Sequence, residues 1–141
     1  MSLATNSSKN SICDRVYEYC NYEDVKLITI MGGTNDFVSN VCIGDINSFD
    51  THTFYGSLNK MINVLSDAYK TADIILITPP KRIFDDVGEF NPINLKIEDY
   101  AVCMKNIAKK YNLKVVDLCS SSKINLNNFR EYTIVKIHLN L

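Results

Sequence analysis

Gly33, Thr34, Asn35 and Asp36 follow Gly32 at the end of an apolar run from Leu27 to Met31. Asn35 offers an amide donor, Asp36 a carboxylate and Thr34 a hydroxyl. The two glycines carry no Cβ and let backbone and ligand approach closely. The run before them is rich in β-branched residues and reads as a buried parallel strand. Open α/β sheets bind ligands at the carboxyl ends of such strands, which makes residues 32–36 a candidate reaction loop. The plainer reading is an Asx turn closing a strand. Residue type alone leaves both open.

Two histidines and five cysteines are the other groups with chemistry to offer. His52 lies among turn residues and is expected at the surface. His138 sits in an apolar tail, where residue type alone favours a structural histidine over a base. Cys13, Cys20, Cys42, Cys103 and Cys119 are scattered without a Cys-x-x-Cys pair. That pattern favours small buried hydrophobes over a disulfide frame or a zinc site, and neither metal nor cofactor is expected. A phosphate-binding role for the Gly-Gly-Thr-Asn loop is disfavoured, because G-x-G-x-x-G and a P-loop lysine are both absent.

Fifteen basic and sixteen acidic residues leave a formal charge of −1. Interspersed charge of this kind is no footprint for nucleic acid or an anionic membrane. No apolar run reaches the roughly eighteen residues of a membrane span, and the polar N-terminus lacks a signal-peptide pattern. The chain as given is expected to be soluble, with no compartment indicated.

These groups need a scaffold, and the hydrophobic spacing supplies one. At 141 residues the chain is expected to form a single domain over 1–141, with the Ser/Asn/Thr-rich residues 1–9 as a flexible arm. Three-and-four spacing from about residue 10 to 23, with Asn10 or Ser11 as cap, predicts a short helix. The strand at 27–31 follows, then a long irregular loop over 37–53 that is expected to border the site. Leu58, Met61, Ile62, Leu65 and Tyr69 predict a second helix over about 54–70. Residues 73–78 read as the next strand, stopped by Pro79 and Pro80. After a mixed segment at 81–94, the stripe Ile97, Tyr100, Ala101, Met104, Ile107, Ala108 and Tyr111 predicts a third helix. A last short strand is expected at 115–118, a Ser/Asn-rich loop to 128, and a tail over 132–141 whose alternation suits a strand. Helices and strands in alternation imply right-handed βαβ units and a parallel sheet.

Together, Gly33-Thr34-Asn35-Asp36, the strand ending in Thr78-Pro79-Pro80, Glu98-Asp99-Tyr100 opening a helix, Val115-Val116-Asp117-Leu118 and Ile137-His138-Leu139-Asn140 resemble the SGNH/GDSL hydrolase superfamily of esterases and acylhydrolases. The resemblance runs from about residue 10 to the end, in order and with ordinary spacing. It implies an α/β, three-layer αβα sandwich on a flavodoxin-like parallel sheet. It also implies acyl transfer by a Gly-Asp-Ser serine, an oxyanion hole that includes an asparagine side chain, and an Asp-x-x-His base. Carried over, Asn35 is the oxyanion donor and His138 the candidate base. Gly33, Thr34, Asp36 and Pro79 border the substrate, a small acyl ester or an acetylated carbohydrate.

Two parts of that pattern are missing from the sequence. Gly-Asp-Ser occurs nowhere; Gly44-Asp45-Ile46 lies in a loop after the Asn35 motif and has no serine in place. Val135 and Lys136 stand where the aspartate and glycine before the histidine are usual. The resemblance therefore implies a hydrolase segment that begins after its first strand or strands and is inactive alone. The alternative is a non-catalytic ligand-binding or structural module of the same fold, such as part of a phage or cell-surface structural protein. In the resemblance, the absent strand lies beside residues 27–31, so self-association through the exposed strand edge near 25–31 is expected.

Overall fold

The computed structural model describes residues 1–5, 10–81 and 89–123. Three parallel strands form one sheet in the order β1-β2-β3, where β1 is Leu27–Met31, β2 is Asp73–Ile77 and β3 is Lys114–Val116. The register runs from Leu27 opposite Asp73 to Met31 opposite Ile77, and from Ile75 opposite Lys114 to Ile77 opposite Val116. Between β1 and β2 lie α1, Thr34–Val38, and α2, Phe54–Ala68. Helix α3, Ile97–Tyr111, joins β2 to β3, and the short α4, Leu118–Ser121, follows β3. The molecule has the parallel α/β arrangement that the alternation implied and the flavodoxin-like architecture that the resemblance implied. Because the strands are parallel, the loops after β1, β2 and β3 all emerge on one rim.

Side chains alternate across the sheet. Ile30, Ile74 and Leu76 share one face and are buried, whereas Leu27 and Met31 on the opposite face of β1 are 56% and 49% exposed. The buried face meets the stripes of α2 (Leu58, Met61, Ile62 and Leu65) and α3 (Tyr100, Met104 and Ile107) in one core. Tyr100 is fully buried and stands edge-on to Phe37 and Phe54, with ring centroids 6.2 and 5.0 Å away. Its hydroxyl donates to the Val41 carbonyl, so the start of the 39–53 loop is tied to the core.

Asn59 holds the rest of that loop. This fully buried amide donates to the carbonyls of Ile46 and Ser48 at 2.9 and 2.7 Å. Its oxygen accepts the Tyr111 hydroxyl at 2.8 Å and the Lys110 ammonium at 3.1 Å. A buried polar group with both donors and its acceptor satisfied rigidifies what it touches.

The structure departs from the sequence expectations in local detail. Residues 10–23 form turns that tighten into a 3-10 helix at Val16–Cys20, not an α-helix. Ser11 does not cap that helix, whose N-cap is Arg15 without a side-chain bond. It closes the turn before it, its hydroxyl accepting the Asp14 N–H at 3.1 Å while Asp14 accepts the Ser11 N–H at 3.0 Å. Short i to i+3 bonds such as Glu18 N–H to Arg15 carbonyl at 2.9 Å set the tighter winding, and Val16, Tyr17 and Tyr19 are weak α-formers. The loop expected to start at residue 37 starts later, because Phe37 and Val38 complete α1. The strand expected at 115–118 ends at Val116, because the Asp117 carboxylate accepts the Ser120 N–H and starts α4. The tail over 132–141 lies outside the described residues.

Candidate active site

The loop after β1 turns on Gly33, whose φ of +106° is closed to most side chains. A Cβ there would also lie 3.0 Å from Pro79 Cγ and 3.3 Å from Tyr100 Cβ. Gly33 and Pro79 are both buried. This contact locks the loop after β1 to the loop after β2.

From that turn, α1 points its first side chains in opposite directions. Asn35 is exposed, and its amide donates to the Met1 carbonyl at 2.9 Å. Asp36 is 1% exposed and accepts the backbone N–H groups of Leu3 and Ala4 at 3.0 and 2.9 Å. Burial pushes the Asp36 carboxyl above its ordinary value, and the bonds from Ala4, Leu3 and Gly33 oppose that rise.

Residues 1–5, placed by composition in a flexible arm over 1–9, are packed. Leu3 and Ala4 are fully buried, and Leu3 covers Gly32 so closely that a Cβ there would meet it at 2.4 Å. The Leu3 carbonyl accepts the Cys13 N–H at 3.1 Å, and the Thr5 hydroxyl reaches Asp14 at 2.7 Å. Ser/Asn/Thr content concealed this, because several of the holding groups are backbone atoms whose partners lie far along the chain. Residues 6–9 lie outside the described residues.

At the same rim, Thr78 and Asp117 close the loops after β2 and β3. Asp117 accepts the Ser120 N–H at 3.0 Å, the Lys105 ammonium at 3.0 Å, the Ser120 hydroxyl at 2.8 Å and the Thr78 hydroxyl at 3.1 Å. These donors, the Ser120 backbone first, hold its carboxyl well below the usual carboxylate range. Sequence reading assigned Asp117 to a strand and missed this cluster; Asp117 followed by Ser120 at N-cap spacing was the available signal.

The expected site residues therefore divide. Gly33, Asp36 and Pro79, expected to border substrate, are buried and build the loop. Thr34 is partly exposed and Asn35 exposed. His138 lies outside the described residues. His52 is exposed, as expected, with Nδ1 3.2 Å from Asp50. The buried thiols of Cys13 and Cys103 are each pushed up to about 11 by burial, so they are neutral and unreactive at neutral pH.

A separate apolar groove of about 350 Å³ runs along the outer edge of β1. Ile12, Val16 and Tyr19 form one wall, Met61, Leu65 and Tyr69 another, and β1 the floor. Asn35 is not part of it.

The sequence profile of the GDSL-like lipase/acylhydrolase family matches residues 7–141. No curated protein sequence matches the chain. Among solved structures, one 26% identical superposes with a TM-score of 0.81, covering 92% of this chain and 63% of its own. A protein from Lactobacillus plantarum, 20% identical, gives 0.79 over 94% of this chain and 64% of its own. One described as a GDSL-like lipase from Bacteroides ovatus, 18% identical, gives 0.62 over 94% and 68%. The chain thus spans just under two thirds of the length of the first two.

Proposed function

The chain belongs to the GDSL-like lipase/acylhydrolase family, and from that premise we propose that it is the carbonyl-binding part of an ester hydrolase, inactive as the isolated 141-residue chain. Its substrate is a small acyl ester or an acetylated carbohydrate. The reaction is acyl transfer: a base takes the proton of a serine, the serine oxygen attacks the ester carbonyl, the ester C–O bond breaks as the alcohol leaves with that proton, and water then releases the acyl group as the acid. Asn35 donates to the developing oxyanion, and His138 is the base.

One observation carries this reading. The Asn35 amide, at the carboxyl end of β1, already donates to a carbonyl oxygen, that of Met1, at 2.9 Å. A fixed amide donor at this distance is what oxyanion stabilisation requires. The backbone behind it is held by Gly33, Pro79 and the buried Asp36.

The inactivity follows from the absent Gly-Asp-Ser. Losing the nucleophile of a coupled triad costs roughly 10⁶ in rate, and the remaining binding groups leave about 10³ to 10⁴ over water. The test is hydrolysis of p-nitrophenyl acetate by the chain, with and without a serine-directed phosphonate. Background hydrolysis without labelling is expected. Stoichiometric phosphonate labelling of the chain alone would overturn the inactive assignment. The carbonyl-binding role is tested by adding a Gly-Asp-Ser-bearing segment ahead of residue 1 and asking whether turnover appears and depends on Asn35.

A further inference from the structure

Consecutive residues of α1 hold one stretch of chain at two points. The Asp36 carboxylate accepts the N–H groups of Leu3 and Ala4 at 3.0 and 2.9 Å, one on each oxygen, and the Asn35 amide donates to the Met1 carbonyl at 2.9 Å. The stretch between those points is itself stiff. The Ser2 hydroxyl donates to the Ala4 carbonyl at 3.0 Å, the Ser2 carbonyl accepts the Ile12 N–H at 3.0 Å, and Leu3 packs over Gly32. A shift of Leu3 and Ala4 against α1 therefore moves the Met1 carbonyl against Asn35.

The Met1 contact decides which end of the Asn35 amide is presented. The two ends of a carboxamide are nearly equal in size and opposite in hydrogen-bonding sense, and a backbone carbonyl can only accept. It selects the NH2 end. That bond uses one of the two N–H groups and leaves the second to donate to a substrate carbonyl. With the amide turned over, its oxygen would face a developing oxyanion and raise the barrier.

We propose that Asp36 is a positioning residue for the Asn35 donor: by holding Leu3 and Ala4 it keeps the Met1 carbonyl where it selects the N–H end of the amide. The inference rests on the carbonyl-binding reading of Asn35 and adds how that donor is oriented. Burial suits Asp36 to the task. At 1% exposure its oxygens have almost no water to exchange for the two N–H groups, so the hold is strong and lasting. Exposed Asn35 has no such shelter, and its order must come from the carbonyl it meets.

The experiment is NMR of the full chain, reading the side-chain amides of Asn35 and Asn59 in the unaltered protein and in Asp36→Asn. Circular dichroism confirms that the variant is folded. Asparagine keeps the shape and one acceptor, and turns an NH2 group towards the other N–H. In the unaltered chain the Asn35 amide should be ordered, with a hydrogen-bond coupling from Nδ2 to the Met1 carbonyl carbon. In Asp36→Asn that coupling should vanish and the order parameter should fall below about 0.6, into the flexible range. Asn59, whose partners are Ile46, Ser48, Lys110 and Tyr111, should be unchanged. If Asp36→Asn does not fold, an ester oxygen in place of the Ala4 N–H, carried in a synthetic segment 1–12 joined at Cys13, removes one bond without altering a side chain and carries the same expectation.

An Asn35 amide that is mobile or uncoupled in the unaltered chain overturns the proposal, as does one that stays ordered after either change. Equal loosening of Asn35 and Asn59 overturns it too, by making Asp36 a support of the whole fold. Ester turnover does not enter the measurement. If the amide behaves as expected but turnover with an added Gly-Asp-Ser segment ignores Asn35, the carbonyl-binding reading fails and the orientation of the amide by Asp36 stands.

Discussion

Asn35 and Asp36 are neighbours on one helical turn, yet the first presents its amide to the surface and the second is buried to 1% against the N–H groups of Leu3 and Ala4. The division separates chemistry from support. Replacing Asp36 by Ala leaves two buried N–H donors without an acceptor, which costs about 1–3 kcal/mol each at the upper limit. Asp36→Ala is therefore expected to lower unfolding free energy in urea by about 2–4 kcal/mol. Asn35→Ala, at an exposed position, is expected to change it by less than about 0.5 kcal/mol. Equal effects of the two changes would contradict the division.

For the same pair, turnover should respond in the opposite order. In a version supplied with a Gly-Asp-Ser segment, Asn35→Ala should lower kcat by about 10²- to 10³-fold, the loss seen when one oxyanion donor is removed. KM should move little, since the donor acts mainly on charge that develops in the transition state. A change confined to KM would assign Asn35 to ground-state binding instead.

Helix propensity and structure give opposite signs for Gly56. It lies in the first turn of α2, where Gly→Ala in an open helix is favourable by about 1 kcal/mol. Here an added Cβ would come within 2.0 Å of the Asp50 carbonyl oxygen, a backbone atom with no freedom to swing aside. The Thr53 hydroxyl caps this turn through the Gly56 N–H at 3.2 Å, so a shift of the helix start breaks the cap too. Gly56→Ala is expected to destabilise by about 2 kcal/mol or more. A thermal melt that rises on substitution would show that the 50–53 turn yields freely.

The sheet and the two long helices were legible by different signals. The stripe of α3 fits the helical period, whereas the apolar run at residues 74–77 was legible from its shortness and from Pro79 and Pro80, which stop it. The candidate site was legible only in part. Gly33, Asn35 and Asp36 stand together in sequence, so their loop could be read, but the partners of that loop lie 32 and 33 residues away at Ala4 and Leu3. Nothing local marks a backbone N–H as the ligand of a distant carboxylate. Asn59 went unnoticed for the same reason, since its partners at Ile46, Ser48, Lys110 and Tyr111 converge only after folding.

Asn59→Ala tests that convergence. It removes the acceptor of the Tyr111 hydroxyl and the donors to two loop carbonyls, and leaves a cavity where a fully buried side chain stood. The expected loss is about 2–4 kcal/mol. Amide hydrogen exchange should accelerate over residues 46–50 more than in α3, because the loop loses its anchor while the helix keeps its apolar stripe. Uniform acceleration across the chain would mean that Asn59 supports the whole core and not this loop.

Asp117 gives the chain a pH dependence whose sign follows from its partners. The Ser120 backbone N–H, the Lys105 ammonium and the hydroxyls of Ser120 and Thr78 stabilise the carboxylate in the folded state and depress its pKa. The unfolded chain, with an ordinary carboxylate near about 3.9, then binds a proton more readily than the folded one. The stabilisation is present in full above that value and is lost as pH falls through it towards the depressed folded-state value. Asp117→Asn is expected to cost about 1–3 kcal/mol at neutral pH, by loss of charge-assisted hydrogen bonds. The gap between the two proteins in urea should hold down to about pH 5 and narrow below about pH 4. A gap unchanged into acid would mean that Asp117 contributes through shape and capping and not through its charge.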